Sequence, residues 1–167
     1  VGRLSKQKNI PTLLTALALT NRDVHLDIVG EGPEEAAIQN LIADLELSNV
    51  TLRGRLSRAE VMELYATCNA LVMPSLYEAQ PLVLLEAMAA RIPVICTNVI
   101  GVKEHIGDGG IVVEPTSIGL ADGIEHYYKH YDTLPQLVEK AYHKAEDMRW
   151  PPTLKRYETL YEEVLGA

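Results

Sequence analysis

The sequence predicts an α/β domain: a doubly wound, Rossmann-like parallel sheet of about six strands, with helices on both faces and a helical C-terminal tail. Three observations carry this. Short apolar runs alternate with stretches of helical periodicity, the order of parallel βαβ units. The apolar runs show almost no polar alternation, as strands covered on both faces require. The 167 residues are 47 % hydrophobic and 23 % charged, the balance of a globular domain with a core rather than of a disordered chain.

Each element has its own signal. Val1-Gly2-Arg3-Leu4 reads as the end of a first strand, in a segment cut just inside that strand from a longer protein. Ile10-Pro11 enters a helix over 11–19, with Leu13, Leu14, Leu17 and Ala18 on one face. Residues 24–29 form a strand that ends in the turn Gly30-Glu31-Gly32-Pro33. Ile38, Leu41, Ile42 and Leu45 give the following helix, over 33–46, its apolar stripe. A strand over 50–53 turns at Gly54, and Ser57 with Glu60 has the spacing of a capping box ahead of Val61, Leu64 and Tyr65. Pro74 ends the strand over 70–73. An almost wholly apolar helix follows over 81–90, then a strand over 93–96, a short helix near 102–106 and a last strand over 111–113. Pro115 and Ser117 open the tail helices, and Trp150-Pro151-Pro152 separates the last two. Six of the eight tyrosines lie beyond residue 123. Residues 1–122 therefore read as the sheet domain, and 123–167 as helices suited to packing on it and towards a missing domain.

Composition excludes several classes. The charge sum of −8 argues against a nucleic-acid backbone as partner, although it permits a local basic pocket. Cys68 and Cys96 lack CxxC or Cys/His spacing, so neither a disulfide framework nor a zinc site is expected, and both read as buried thiols in strand-like surroundings. No apolar run approaches the ~18 residues of a membrane span, and no signal peptide is visible. Gly30-x-Gly32-x-x-Glu35 imitates a dinucleotide fingerprint poorly. Glu35 replaces the third glycine and Glu34 adds negative charge, which suits a helix start rather than a pyrophosphate. The sequon Asn49-Val50-Thr51 overlaps a strand and reads as incidental.

Doubly wound sheets bind ligands at the carboxyl ends of strands, where the strand order reverses. An order of 3-2-1-4-5-6 brings together the loops over 2–9 and 74–80. The first holds Arg3, Lys6 and Lys8 just before a helix N-terminus, which suits a diphosphate or a solvated basic turn. As exposed charges, Arg3 and Lys8 are expected to matter little for stability. The second loop leads into the apolar helix. Glu86 is the only charge between Ala79 and Ala90, so it is expected to be buried and to need either a cation or sugar hydroxyls as partner. Glu78, at the mouth of that helix, complements the helix dipole or contacts a ligand.

Taken in order, Gly2-Arg3-Leu4 with Lys8, Gly30-x-Gly32-Pro33, Gly54, Met73-Pro74-Ser75, Glu78-x7-Glu86 with Ala87-Met88-Ala89, and Pro93-Val94-Ile95 form a pattern. Gly107-Asp108-Gly109-Gly110 and Trp150 before a closing helix extend it. The chain resembles, over essentially its whole length, the carboxy-terminal nucleotide-sugar-binding domain of family-four retaining GT-B glycosyltransferases. The resemblance implies the donor half of an enzyme that transfers a hexose from a nucleoside-diphosphate sugar, inactive as an isolated fragment. It implies catalytic roles for Arg3, Lys8 and Glu78, with Arg3 and Lys8 stabilising the departing diphosphate. It places Glu86 on the ribose hydroxyls, Glu78 near the sugar and Arg55 and Leu56 near the base. Gly2, Ala79, Gln80, Leu82 and Val83 complete the donor-binding set. No metal or other cofactor is implied. The implied partners are the donor, the missing N-terminal domain and a glycan or lipid-linked acceptor. The implied location is cytoplasmic, with peripheral membrane association at the inner face an option carried by the missing domain. A non-catalytic nucleotide-sugar-binding module and a hydrolytic or epimerising relative are the alternatives.

The chain departs from the family in two places. Ala79-Gln80-Pro81 stands where the family has Gly-Phe-Gly, which alters the sugar pocket because Pro81 lacks an N–H. Arg91 stands where a glycine normally ends the helix, which argues against a left-handed cap there.

Overall fold

Residues 1–166 are described by a computed structural model. The strands are β1 (Leu26–Val29), β2 (Val50–Gly54), β3 (Leu71–Met73), β4 (Val94–Thr97) and β5 (Ile111–Val113). The helices are α1 (Ile10–Leu19), α2 (Glu35–Asp44), α3 (Arg58–Thr67), α4 (Leu82–Ala89), α5 (Lys103–Ile106), α6 (Ser117–Lys129), α7 (Leu134–Asp147) and α8 (Trp150–Leu165). All pairings are parallel, as the alternation of strands and helices predicts: β1 with β2, and β4 between β3 and β5.

The expected sheet of about six strands is thus five strands in two pieces. The stretch read as a first strand runs beside β1. The Gly2 N–H donates to the Val29 carbonyl and the Leu4 N–H to the Glu31 carbonyl, both at 2.9 Å. Both atoms of each pair advance along the chain together, so this segment is parallel to β1, but two bonds at its end do not make a ladder.

Both faces of the larger piece are covered. Every residue of β4 is buried. Val94 and Cys96 pack with Tyr65 of α3, Leu84 and Met88 of α4, Ile106 of α5 and Ala141 of α7. Ile95, pointing the other way, packs with Ile111, with Ile124 and Tyr127 of α6, and with Leu134. On the smaller piece, Ile28 meets Leu4, Leu14 of α1 and Ile38 of α2. Leu13, Ala16 and Leu120 join α1 to α6.

The helix ends follow local chemistry. Ser57 caps α3 through the expected capping box: its Oγ accepts from the Glu60 N–H at 3.3 Å, and Glu60 Oε2 accepts from the Ser57 N–H at 2.7 Å. These hydrogen bonds hold the Glu60 carboxyl below its ordinary value. Pro81 is the residue before α4 rather than its first. The expectation for Arg91 is overturned: it adopts the left-handed conformation (φ 57°), and the Ile92 N–H bonds the Ala87 carbonyl at 3.0 Å. That conformation costs a non-glycine residue roughly 1–2 kcal/mol. The guanidinium offsets it by lying 3.9 Å from the centre of the Tyr142 ring and 3.4 Å from Glu139. Cys68 is a half-buried cap of α3 rather than a strand residue, while burial pushes the Cys96 thiol up to about 12.

α6 runs across residues 122 and 123, and α7 packs against α4. α8 has no buried residue; Trp150, Leu154, Tyr157, Tyr161 and Val164 are all exposed. Among the described residues no helix is long and apolar enough to cross a membrane.

Leu84 and Leu82 sit on opposite faces of α4, one with no exposure and the other 60 % exposed. Urea unfolding should show Leu84→Ala losing about 2–5 kcal/mol of stability. Leu82→Ala should stay within about 0.5 kcal/mol of the parent.

Candidate functional site

Two loops meet where the Val1–Leu4 segment and β3 end. The first tightens into a 3-10 turn over Lys6–Lys8 and enters α1 through Asn9, whose left-handed backbone (φ 52°) an asparagine tolerates. The second runs from Pro74 to Pro81. Hydrogen bonds join them, among them the Leu76 N–H to the Gln7 carbonyl at 2.9 Å, Gln7 Nε2 to the Tyr77 carbonyl at 2.8 Å, and Asn9 Nδ2 to the Pro74 carbonyl at 3.2 Å.

Glu78 lies at the centre of this junction and is 8 % exposed. Its Oε1 accepts from Lys8 Nζ and from Ser75 Oγ, both at 2.6 Å, and its Oε2 from Gln7 Nε2 at 3.4 Å. Ser75 is itself fully buried, and Thr97 Oγ1 at the end of β4 donates to its carbonyl. The Glu78 N–H donates to the Ile100 carbonyl at 3.2 Å. Gly101 passes so close behind that a Cβ there would fall 1.7 Å from the Glu78 carbonyl oxygen. Only glycine fits.

Gly30 and Gly32 have the same purpose on the first loop. A Cβ on Gly30 would lie 1.8 Å from the Gly2 carbonyl oxygen, and one on Gly32 would lie 2.2 Å from the Leu4 oxygen. The fragment of a dinucleotide pattern is therefore a packing device that seats the basic loop. Gly54 joins it, its carbonyl accepting from the Gly30 N–H at 2.7 Å.

Gly2, Arg3, Lys8 and Val83 line one small cleft with Ser75. Arg3 is exposed and makes no ion pair among the described residues. Lys8 is not the freely solvated cation expected, because its ammonium is held by the buried Glu78 and its side chain is only 22 % exposed. An ammonium has three donors, so one such bond leaves others for an anion.

The two glutamates exchange their expected settings. Glu78, read as the residue at the helix mouth, is the buried and paired carboxylate. Glu86, read as buried, is half-buried on α4, with no cation partner among the described residues. Nearby, the buried Tyr65 hydroxyl has no hydrogen-bond partner among the described residues; burial raises its ionisation well above the ordinary phenol value, and the Glu86 charge adds to this. Ala79, Gln80 and Leu82 are exposed on the rim; Arg55 is exposed and Leu56 half-buried after β2, and none of these side chains hydrogen-bonds into the cluster. No group of metal-ligating side chains occurs among the described residues.

This geometry can hold an anion against Arg3, Lys8 and the free N–H groups of the first loop. It also leaves a half-buried carboxylate free to accept hydroxyl groups. The family model described as "Glycosyl transferases group 1" matches residues 1–144. The chain belongs to that family.

This group 1 glycosyltransferase domain is 33 % identical to N-acetyl-alpha-D-glucosaminyl L-malate synthase of Bacillus anthracis. That match covers 99 % of this chain and 45 % of the relative. The chain thus spans about half the length of the curated relatives it matches. Among solved structures, a glycosyltransferase from Rickettsia africae superposes with a TM-score of 0.85 at 26 % identity, over 98 % of this chain and 46 % of that one. Anabaena Alr3699/HepE in complex with UDP-glucose superposes with a TM-score of 0.84 at 25 % identity, over 96 % of this chain and 47 % of that one. The GT-B assignment of the fold rests on these neighbours together with the family.

Sequence reasoning missed Gln7, Thr97 and Gly101, and the role of Ser75. Only Ser75 had a local signal, three residues before Glu78 in the same loop. Lys8→Ala should now reduce stability, because it leaves a buried carboxylate unpaired, whereas Arg3→Ala should not. Ser75→Ala removes a hydrogen bond to a charged group and should cost about 1.5–3 kcal/mol in chemical denaturation.

Proposed function

We propose that this chain is the donor-binding half of a retaining, family-four glycosyltransferase, the C-terminal of two domains. It would transfer a hexose from a nucleoside-diphosphate sugar to a glycan or glycolipid. The observation that carries the reading is the basic loop: Arg3 exposed and Lys8 partly buried beside one cleft, seated by glycines and anchored through Glu78. Such a pair neutralises a diphosphate without a metal ion and stabilises it as the leaving group. Glu86, half-buried and without a cation partner among the described residues, would accept the ribose hydroxyls. The complex of Anabaena Alr3699/HepE with UDP-glucose supports a nucleotide-sugar donor here by similarity.

Glu78 has a double role in this reading. It fixes Lys8, and it lies beside the position of the transferred sugar, where it orients or stabilises the reacting centre. Gly2, Ala79, Gln80, Leu82 and Val83 surround the diphosphate and sugar, and Arg55 and Leu56 flank the base. Acceptor groups come from the N-terminal domain, against which the exposed apolar face of α8 suits packing. The protein works in the cytoplasm, at the inner face of the membrane where its acceptor is lipid-linked. The rim Ala79-Gln80-Pro81 favours one second reading, a nucleotide-sugar-binding module without transfer, since Pro81 withholds a backbone donor from the sugar.

Calorimetric titration with UDP and GDP, and with their sugars, tests this. Arg3→Ala should weaken binding of the preferred diphosphate by about 1.5–3 kcal/mol with the unliganded melting point unchanged. Unchanged affinity would make the loop purely structural. Glu86→Gln should lower the preference for the ribonucleotide over its 2′-deoxy form, because an amide accepts hydrogen bonds less strongly than a carboxylate. Sugar transfer by the full-length protein separates the enzyme from the binding module.

A further inference from the structure

The glycine that supports Glu78 from behind is held at both of its peptide bonds. A Cβ on Gly101 would overlap the Glu78 carbonyl oxygen, and the Gly101 backbone is left-handed (φ 84°), so glycine alone allows this approach. Glycine also has more conformational freedom to lose than any other residue, and left to itself it would let the two neighbouring peptide groups swing. The first of these, between Ile100 and Gly101, accepts the Glu78 N–H on its carbonyl at 3.2 Å and donates its own N–H to Glu104 Oε2 at 2.8 Å. The second, between Gly101 and Val102, has its carbonyl oxygen 2.6 Å from His105 Nδ1.

Both anchors stand on α5, and α5 is fastened to the core. Val102 and Ile106, which flank them in sequence, are buried in the cluster that holds Met88 of α4 and Ala141 of α7. The N–H of its own residue, and then that of Gly101, hold the Glu104 carboxyl below its ordinary value. An anionic acceptor on the Gly101 N–H polarises that peptide, which makes the Ile100 carbonyl a better acceptor for Glu78. At the other peptide the chemistry fixes a proton. A carbonyl oxygen only accepts, so His105 Nδ1 must be the donor, and in the neutral ring Nε2 is then bare.

We propose that His105 is a positioning residue for Glu78. Its Nδ1–H holds the Gly101 carbonyl while Glu104 holds the Gly101 N–H, and together they stiffen the glycine on which the Glu78 backbone rests. The carboxylate is thereby kept within reach of Lys8 Nζ and Ser75 Oγ. Among the described residues His105 forms no hydrogen bond with the residues assigned to the donor, so it acts through the main chain. That Glu78 serves sugar transfer rests on the donor-site reading; that His105 sets its place does not.

Two NMR measurements on the full-length protein test it. Ring nitrogen spectra of the neutral His105 side chain, assigned through its backbone amide, read the tautomer without any substitution. The Nδ1–H form is expected, and the Nε2–H form would overturn the proposal. Hydrogen exchange then compares three variants. Asparagine carries its amide nitrogen near the place of Nδ1 and glutamine near that of Nε2, so only asparagine can replace the bond. The Glu78 amide should exchange about 5–10-fold faster in His105→Gln and His105→Leu than in the parent, the effect of one lost hydrogen bond, and within about 2-fold of the parent in His105→Asn. The Ile95 amide, inside the sheet, should keep its rate in all three. An unchanged Glu78 amide in His105→Gln, an Asn variant no better than the Gln variant, or an equal acceleration at Ile95 would each contradict the proposal. Transfer from UDP-glucose adds a separate readout: His105→Gln should lower kcat about 10-fold with KM for the donor within about 2-fold, and an unchanged kcat would count against the positioning role. A parent protein that transfers no sugar contradicts the donor-site reading instead, and the tautomer and the exchange rates still decide the place of His105.

Discussion

The ion pair between Lys8 and Glu78 is the contact on which the candidate site depends. It joins residues 70 apart in sequence at 2.6 Å, at a point where almost no water reaches the carboxylate. A buried carboxylate is costly unless ionic and hydrogen-bonding partners surround it. Here Ser75, Lys8 and Gln7 all donate to it. Thr97 fixes Ser75 and Ile100 fixes the Glu78 backbone, so the ends of β3 and β4 are both committed to one side chain. The pair also sets the electrostatics of the cleft. Lys8 is partly neutralised where it stands, which leaves Arg3 as the exposed cation that an incoming anion meets first.

Backbone packing holds this arrangement from behind. Gly30 and Gly32 let the turn after β1 press on the basic loop, and Gly101 does the same for the loop that carries Glu78. Both loops are therefore positioned by main-chain contacts that no side chain interrupts. That rigidity is what a site for a charged, multiply hydrogen-bonded ligand requires.

Much of the fold was legible because its signals are local. The apolar stripe of α2, the capping box of α3, the proline stop after β3 and the prolines in the first turn of α8 each involve residues within a few positions of one another. The two carboxylates were misjudged for the opposite reason. An isolated charge in an apolar helix suggests burial, but Glu86 leaves the core on the half-exposed side of α4. Glu78 is buried by a lysine, a glycine and a carbonyl that come from distant parts of the chain. Arg91 shows the same limit. Its left-handed backbone is held by Tyr142 and Glu139 of α7, about fifty residues away, where the sequence alone favours a glycine. Gly101 had no local signal, since its purpose lies in the loop it touches.

A double-mutant cycle on stability tests the central claim most directly. Lys8→Met, Glu78→Gln and the double variant should be compared with the parent by urea unfolding. The account predicts a coupling energy of about 1–3 kcal/mol, with the double variant less damaged than the sum of the single ones, because each single change strands a polar group that the other had satisfied. Additivity within about 0.5 kcal/mol would show that the two side chains act independently and would contradict the account.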